Sequence, residues 1–144
     1  MDSETMIRPR GLPLLLLTIL LASIDPAKNT SNVLRPFKSV EFSDANMRQC
    51  LWFAMEEYNK ESKDEYIFLS SQILQAQLQL TDRMEYMIET EVARTNCTKP
   101  YSNNEICVIQ ENTNLEKKMN CIFLVGALPW NGDFLMLMKD CSEI

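Results

Sequence analysis

The chain has 144 residues, a formal charge of −6 and no histidine. Without histidine the Ser-His and Cys-His nucleophile pairs, the usual general base and the commonest metal ligand are all missing, so most hydrolytic mechanisms are closed and neither metal nor cofactor is expected. An acidic balance with no basic run argues against nucleic acid as a partner.

Arg8 and Arg10 precede an apolar run from Leu14 to Ala22, interrupted only by Thr18. That layout predicts a secretory signal peptide over residues 1–24, because the run falls short of the roughly 20 residues a membrane span needs. An extracellular destination without membrane contact follows. Losing the leader removes Asp2, Glu4, Arg8 and Arg10 together, so the charge stays at −6. Residues 25–38, with Pro26, Pro36 and small polar residues, read as a flexible arm. Asn29-Thr30-Ser31 in that arm is a glycosylation acceptor pattern. Residues 39–144 are then one domain, long enough to bury a core with help from cross-links.

Val40 and Phe42 alternate with polar neighbours and suggest a short first strand. A helix follows from Asp44 to about Ser62, since Met47, Cys50, Leu51, Ala54 and Tyr58 repeat as one apolar stripe, broadened by Trp52, Phe53 and Met55. Arg48, Gln49, Glu56, Asn59 and Lys60 lie opposite and can face water, with Glu56 four residues before Lys60 in the favourable orientation. Ser43 or Asp44 can cap the helix start. Beyond the charged turn Lys60 to Glu65 the period changes to two. Leu74, Ala76, Leu78 and Leu80 alternate with Gln75, Gln77 and Gln79, and after Thr81-Asp82-Arg83 the alternation resumes with Met84, Tyr86, Ile88 and Val92 against Glu85, Glu89 and Glu91. This predicts a long antiparallel hairpin with its tip at Thr81 to Arg83.

Cys97 to Asn114 is polar and loop-like. Met119, Cys121, Phe123, Val125 and Ala127 mark another strand, Pro129-Trp130-Asn131-Gly132-Asp133 its turn, and Phe134 to Lys139 the returning strand. Cys97, Cys107, Cys121 and Cys141 have spacings that suggest two consecutive bridged loops, although counting alone allows three pairings. Cys50 is left over on the helix stripe, where a buried thiol acts as a small hydrophobe. The expected fold class is α+β: one long helix packed across a four- to five-stranded antiparallel sheet.

Trp52-Phe53-Ala54-Met55-Glu56-Glu57-Tyr58-Asn59-Lys60 resembles the helix of the secreted (type 2) cystatins. Ala93-Arg94-Thr95-Asn96-Cys97-Thr98-Lys99 is similar to the end of a strand in that family, Pro129-Trp130 to its second-hairpin motif, and the cysteine spacings fit its two consecutive bridges. The likeness runs from about Phe37 to Cys141.

The resemblance implies inhibition of papain-like cysteine proteases of the cathepsin type, not catalysis. In that family an arm carrying glycine, a first hairpin loop of pattern Gln-x-Val-x-Gly and the Pro-Trp loop form a wedge for the protease cleft. The corresponding residues here are Gln79, Leu80, Thr81, Asp82, Arg83, Pro129 and Trp130. The chain departs from the pattern with Thr81 for valine, Arg83 for glycine and Arg35-Pro36 where glycine is expected. Glycine at a tip permits positive φ and close approach, and Arg83 does not. Three such losses at roughly 1–3 kcal/mol each weaken binding by about two to six powers of ten. Some cystatins also inhibit legumain through a Ser-Asn-Asp loop; the match here, Ser62-Lys63-Asp64, lacks that asparagine.

Plainer alternatives stand beside these roles. Trp130 could pack back on the sheet edge, Gln79 could continue a solvated glutamine row, and Glu85, Glu89 and Glu91 are expected to be solvated acids, not catalytic ones. Asn96-Cys97-Thr98 is a second glycosylation pattern, with a bridging cysteine in the middle. The expected function is therefore a weak cystatin-type inhibitor. The alternative is a non-inhibitory secreted binding protein acting in sperm development or maturation, because cystatins with similarly degenerate first loops are associated with the male reproductive tract. A monomer is expected, with a domain-swapped dimer left open.

Overall fold

A computed structural model describes residues 36–100 and 105–144. The leader, Asn29 and the arm through Arg35 lie outside the described residues. The elements are β1 (Lys38–Ser39), α1 (Ala45–Glu61), β2 (Tyr66–Leu80), β3 (Met84–Thr98), β4 (Lys118–Leu128), a single 3₁₀ turn (Pro129–Asn131) and β5 (Asp133–Glu143). The five strands form one antiparallel sheet in the order β1-β2-β3-β4-β5.

Asp44, not Ser43, caps α1, its Oδ1 accepting from the Met47 amide at 2.9 Å. Met47, Cys50, Leu51, Ala54 and Met55 form the buried stripe. It packs on the sheet face made by Tyr86, Ile88 and Val92 of β3 and Phe123, Val125 and Ala127 of β4. Phe53 stacks on Phe134 of β5, and Tyr58 tilts against Phe68 of β2.

Several expectations change. Trp52 is not part of the packed stripe; it is 63% exposed, since its position on α1 turns it past the sheet. Lys60 pairs with Glu57, not Glu56. Asn59 does not face water. Its Oδ1 accepts from the Phe68 amide and its Nδ2 donates to the Phe68 carbonyl, both at 2.9 Å, so the side chain stands in for a neighbouring strand. The first strand is Lys38–Ser39; Val40, just past it, donates its amide to the Ala76 carbonyl and packs its side chain against the core, whereas Phe42 is exposed.

The expected hairpin is longer than its alternation indicated, because β2 begins at Tyr66. Register shifts at Ser70/Gln72 and Ile73/Gln75 break the period. As a result Ile73 packs on the core while Leu74 is exposed, and Ala76 and Leu78 resume the inward face. On β3 the expected inward and outward sets hold, with Thr90 added as a buried polar residue. Its hydroxyl lies 2.6 Å from Ser70 Oγ and donates to the Gln72 carbonyl at 2.8 Å, which satisfies the group inside the sheet. Disulfides join Cys97 to Cys107 and Cys121 to Cys141, and Cys50 is free and buried.

Candidate functional site

Strand register determines which loops can act together. Leu80 faces Met84 across the first hairpin, Met84 faces Ala127, and Leu128 faces Asp133 across the second. Loops 81–83 and 129–132 therefore cap the same end of adjacent hairpins. Lys38 of β1 lies opposite Leu78, so the described chain enters beside that same end.

The first loop closes on Thr81. Its amide donates to the Arg83 carbonyl at 2.9 Å. Its hydroxyl lies 3.2 Å from that carbonyl, 3.2 Å from Asp82 Oδ1 and 3.1 Å from Glu85 Oε2, and accepts from the Arg83 amide at 3.3 Å. Threonine thus knots a glycine-free turn. Leu80, Thr81 and Asp82 are exposed, whereas Arg83 is half-buried because its stem folds back over Gly126 of β4. Gln79 is opposite Glu85 on the ladder and is half-buried.

In the second loop Pro129 starts the 3₁₀ turn, where its fixed φ fits and its missing amide hydrogen is not needed. Gly132 ends the turn at φ +76, in the left-handed region that favours glycine. Trp130 stands 73% exposed at the apex, which removes the alternative in which it packs back on the sheet. The end of the molecule therefore presents two apolar side chains, Leu80 and Trp130, among the acids Asp82, Glu85 and Asp133.

Such an end can fill an apolar cleft. Glu89 accepts from Asn120 and Glu91 pairs with Lys118, so both are half-buried acids with structural partners and not the fully solvated ones expected. Among the described residues no group of histidine, cysteine and acidic side chains could hold a metal ion. Cys50 is no nucleophile either: burial first, then the Asp44 carboxylate, push its thiol up to about 12.

The loop Ser62-Lys63-Asp64 lies at the opposite end, where Tyr66 faces Thr98 and the Lys99 amide donates to Glu65. Asp64 is held there by Arg94, a pair that no sequence spacing announces. Burial alone would raise the Asp64 carboxyl, but the Tyr66 amide and the Arg94 guanidinium outweigh it and hold the group below its ordinary value. Arg94 also donates to the Leu115 carbonyl at 2.9 Å and lies over the Tyr66 and Phe68 rings. Asn96 is exposed near this end, its Oδ1 accepting from the Val108 amide at 2.9 Å.

Residues 37–130 match the Cystatin domain family. The chain is 58% identical to Cystatin-8 of Homo sapiens, across 94% of this chain and 98% of that one, and 51% identical to Cystatin-8 of Mus musculus, across 96% and 100%. It is 30% identical to Cystatin-C of Oryctolagus cuniculus over 96% of this chain and 99% of the relative. In three dimensions it resembles the crystal structure of dimeric human cystatin F with a TM-score of 0.70 and 25% identity, covering 76% of this chain and 88% of that one. The chain belongs to the cystatin family, a family of protease inhibitors and not of enzymes.

Proposed function

We propose that the protein is a secreted, monomeric cystatin that blocks papain-like cysteine proteases with Leu80, Thr81, Asp82, Pro129 and Trp130, and that it does so weakly. The observation carrying this reading is the shared end of the two hairpins, with Trp130 and Leu80 both exposed there. Apolar anchors of this kind supply most of the energy of an interface. Weakness follows from the first loop, where Thr81 and Arg83 replace the residues that let the family's tip approach its target. Gln79 is a minor contact, since it is half-buried beside Glu85. Asn29 and Asn96 are the proposed glycan sites.

A second reading keeps the scaffold but not the inhibition: a secreted binding protein of the male reproductive tract. It is favoured by the way Arg83 lies back on the sheet, which leaves a compact acidic tip in place of a slender one. Titration of the purified protein against a cathepsin L-like protease separates the two. Inhibition in the micromolar range or weaker supports the first reading, a nanomolar constant overturns the proposed weakness, and no binding at saturating concentration leaves the second.

A further inference from the structure

Asn131 is followed by Gly132, the one Asn-Gly pair in the sequence. Glycine has no Cβ, so its backbone nitrogen is open to the side chain that precedes it. The fold preserves that openness. Asn131, Gly132 and Asp133 are all exposed, and a Cβ built on Gly132 would meet nothing within 4 Å. The bond that holds the Gly132 amide, to the Pro129 carbonyl, is long at 3.3 Å. The Asp133 amide donates to Asn131 Oδ1, also at 3.3 Å. That donor, though equally long, sits beside the oxygen on which negative charge develops when a nucleophile adds to the carboxamide carbon.

We propose that Asn131 is a site of deamidation within the folded second loop. The Gly132 nitrogen attacks Cγ of Asn131, a nitrogen–carbon bond forms to close a succinimide, the nitrogen gives up its proton, and the side-chain amide leaves as ammonia. Water then opens the ring at either carbonyl and yields aspartate or isoaspartate, with no change in oxidation state. Both products place a new negative charge beside Trp130, close to Asp133 at the start of β5. Isoaspartate also lengthens the backbone between residues 131 and 132, and so alters the turn that presents the tryptophan. None of this depends on what Trp130 binds.

The test holds the disulfide-bonded full chain in heavy-oxygen water at mildly alkaline pH and maps its peptides by mass spectrometry over time. Heavy oxygen enters at position 131 before any other asparagine, both products appear, and Gly132→Ala slows the reaction by about tenfold or more. Because alanine at φ +76 strains the turn, Asn131→Gln serves as a second variant and abolishes early labelling in this peptide with the fold checked by circular dichroism. Labelling at Asn131 only after the chain is reduced and denatured, earlier labelling at another asparagine, or an unchanged rate in Gly132→Ala overturns the proposal.

Discussion

The aliphatic stem of Arg83 lies against the backbone of Gly126: a Cβ at Gly126 would stand 2.7 Å from Arg83 Cδ and 3.2 Å from Leu137 Cδ1. The first hairpin tip is thereby fastened to the strand that leads into the second. Gly126→Ala dislodges the arginine toward solvent, and because that side chain is flexible the loss is about 1 kcal/mol, at the low end of overpacking costs. Arg83→Ala in the same background recovers most of it. Urea denaturation of the two single variants and the double variant measures the coupling, and strictly additive losses would show that the contact carries no energy.

Thr81→Val together with Arg83→Gly tests the proposed weakness of the first loop. It also removes the hydroxyl that the Arg83 carbonyl, Asp82 and Glu85 share, so the loop gains freedom as well as slenderness. Inhibition of a cathepsin L-like protease is expected to tighten by about ten- to a thousandfold, corresponding to roughly 1–4 kcal/mol. An unchanged inhibition constant would place the limit in the arm or in the second loop.

Asp64 makes stability depend on acid in a defined direction. Its folded-state value lies below the ordinary 3.8, so the unfolded chain takes up the proton first and the contribution is lost as pH falls through the lowered value. Asp64→Asn is expected to lose about 1–3 kcal/mol at neutral pH, the range for a hydrogen-bonded charged group. The gap from wild type should close once the pH falls below the depressed value. Thermal melts across the acid range follow this directly, and a gap that persists at the acid end would mean that packing, not charge, is lost.

Cys50 should resist alkylation while the fold is intact. Its shift from 9.0 to about 12 reduces the thiolate by about a thousandfold, and the sulfur is fully buried as well. Iodoacetamide at mildly alkaline pH is expected to label it only after denaturant is added. Labelling of the native protein at the rate of an ordinary thiol would show that α1 opens readily from the sheet.

The larger elements were legible because their periods are long and clear. Met47 to Ala54 on α1 and Tyr86 to Val92 on β3 each repeat several times, and the Asn-Gly turn marks the second hairpin without tertiary information. The local errors arose where one side chain or one extra residue breaks the period. Each register shift in β2 reverses the facing of the residues beyond it, which is why Ile73 and not Leu74 reaches the core. Trp52 fits an apolar stripe by count, yet it projects beyond the sheet. Asp64 with Arg94 and Arg83 with Gly126 join residues far apart in the chain, and no spacing rule reaches that far. At the candidate site the residues were identifiable by resemblance, while the inward lie of Arg83 and the knot around Thr81 required coordinates.

The amide of Asn59 has a wider consequence than joining α1 to β2. At Phe68 it occupies both backbone groups that would otherwise be offered sideways to another polypeptide. A stretch of β2 that β1 leaves uncovered is thus sealed at that position by the protein's own helix, which discourages growth of the sheet from one molecule into the next. The protein gains from this a guard against self-association that needs neither proline nor charge.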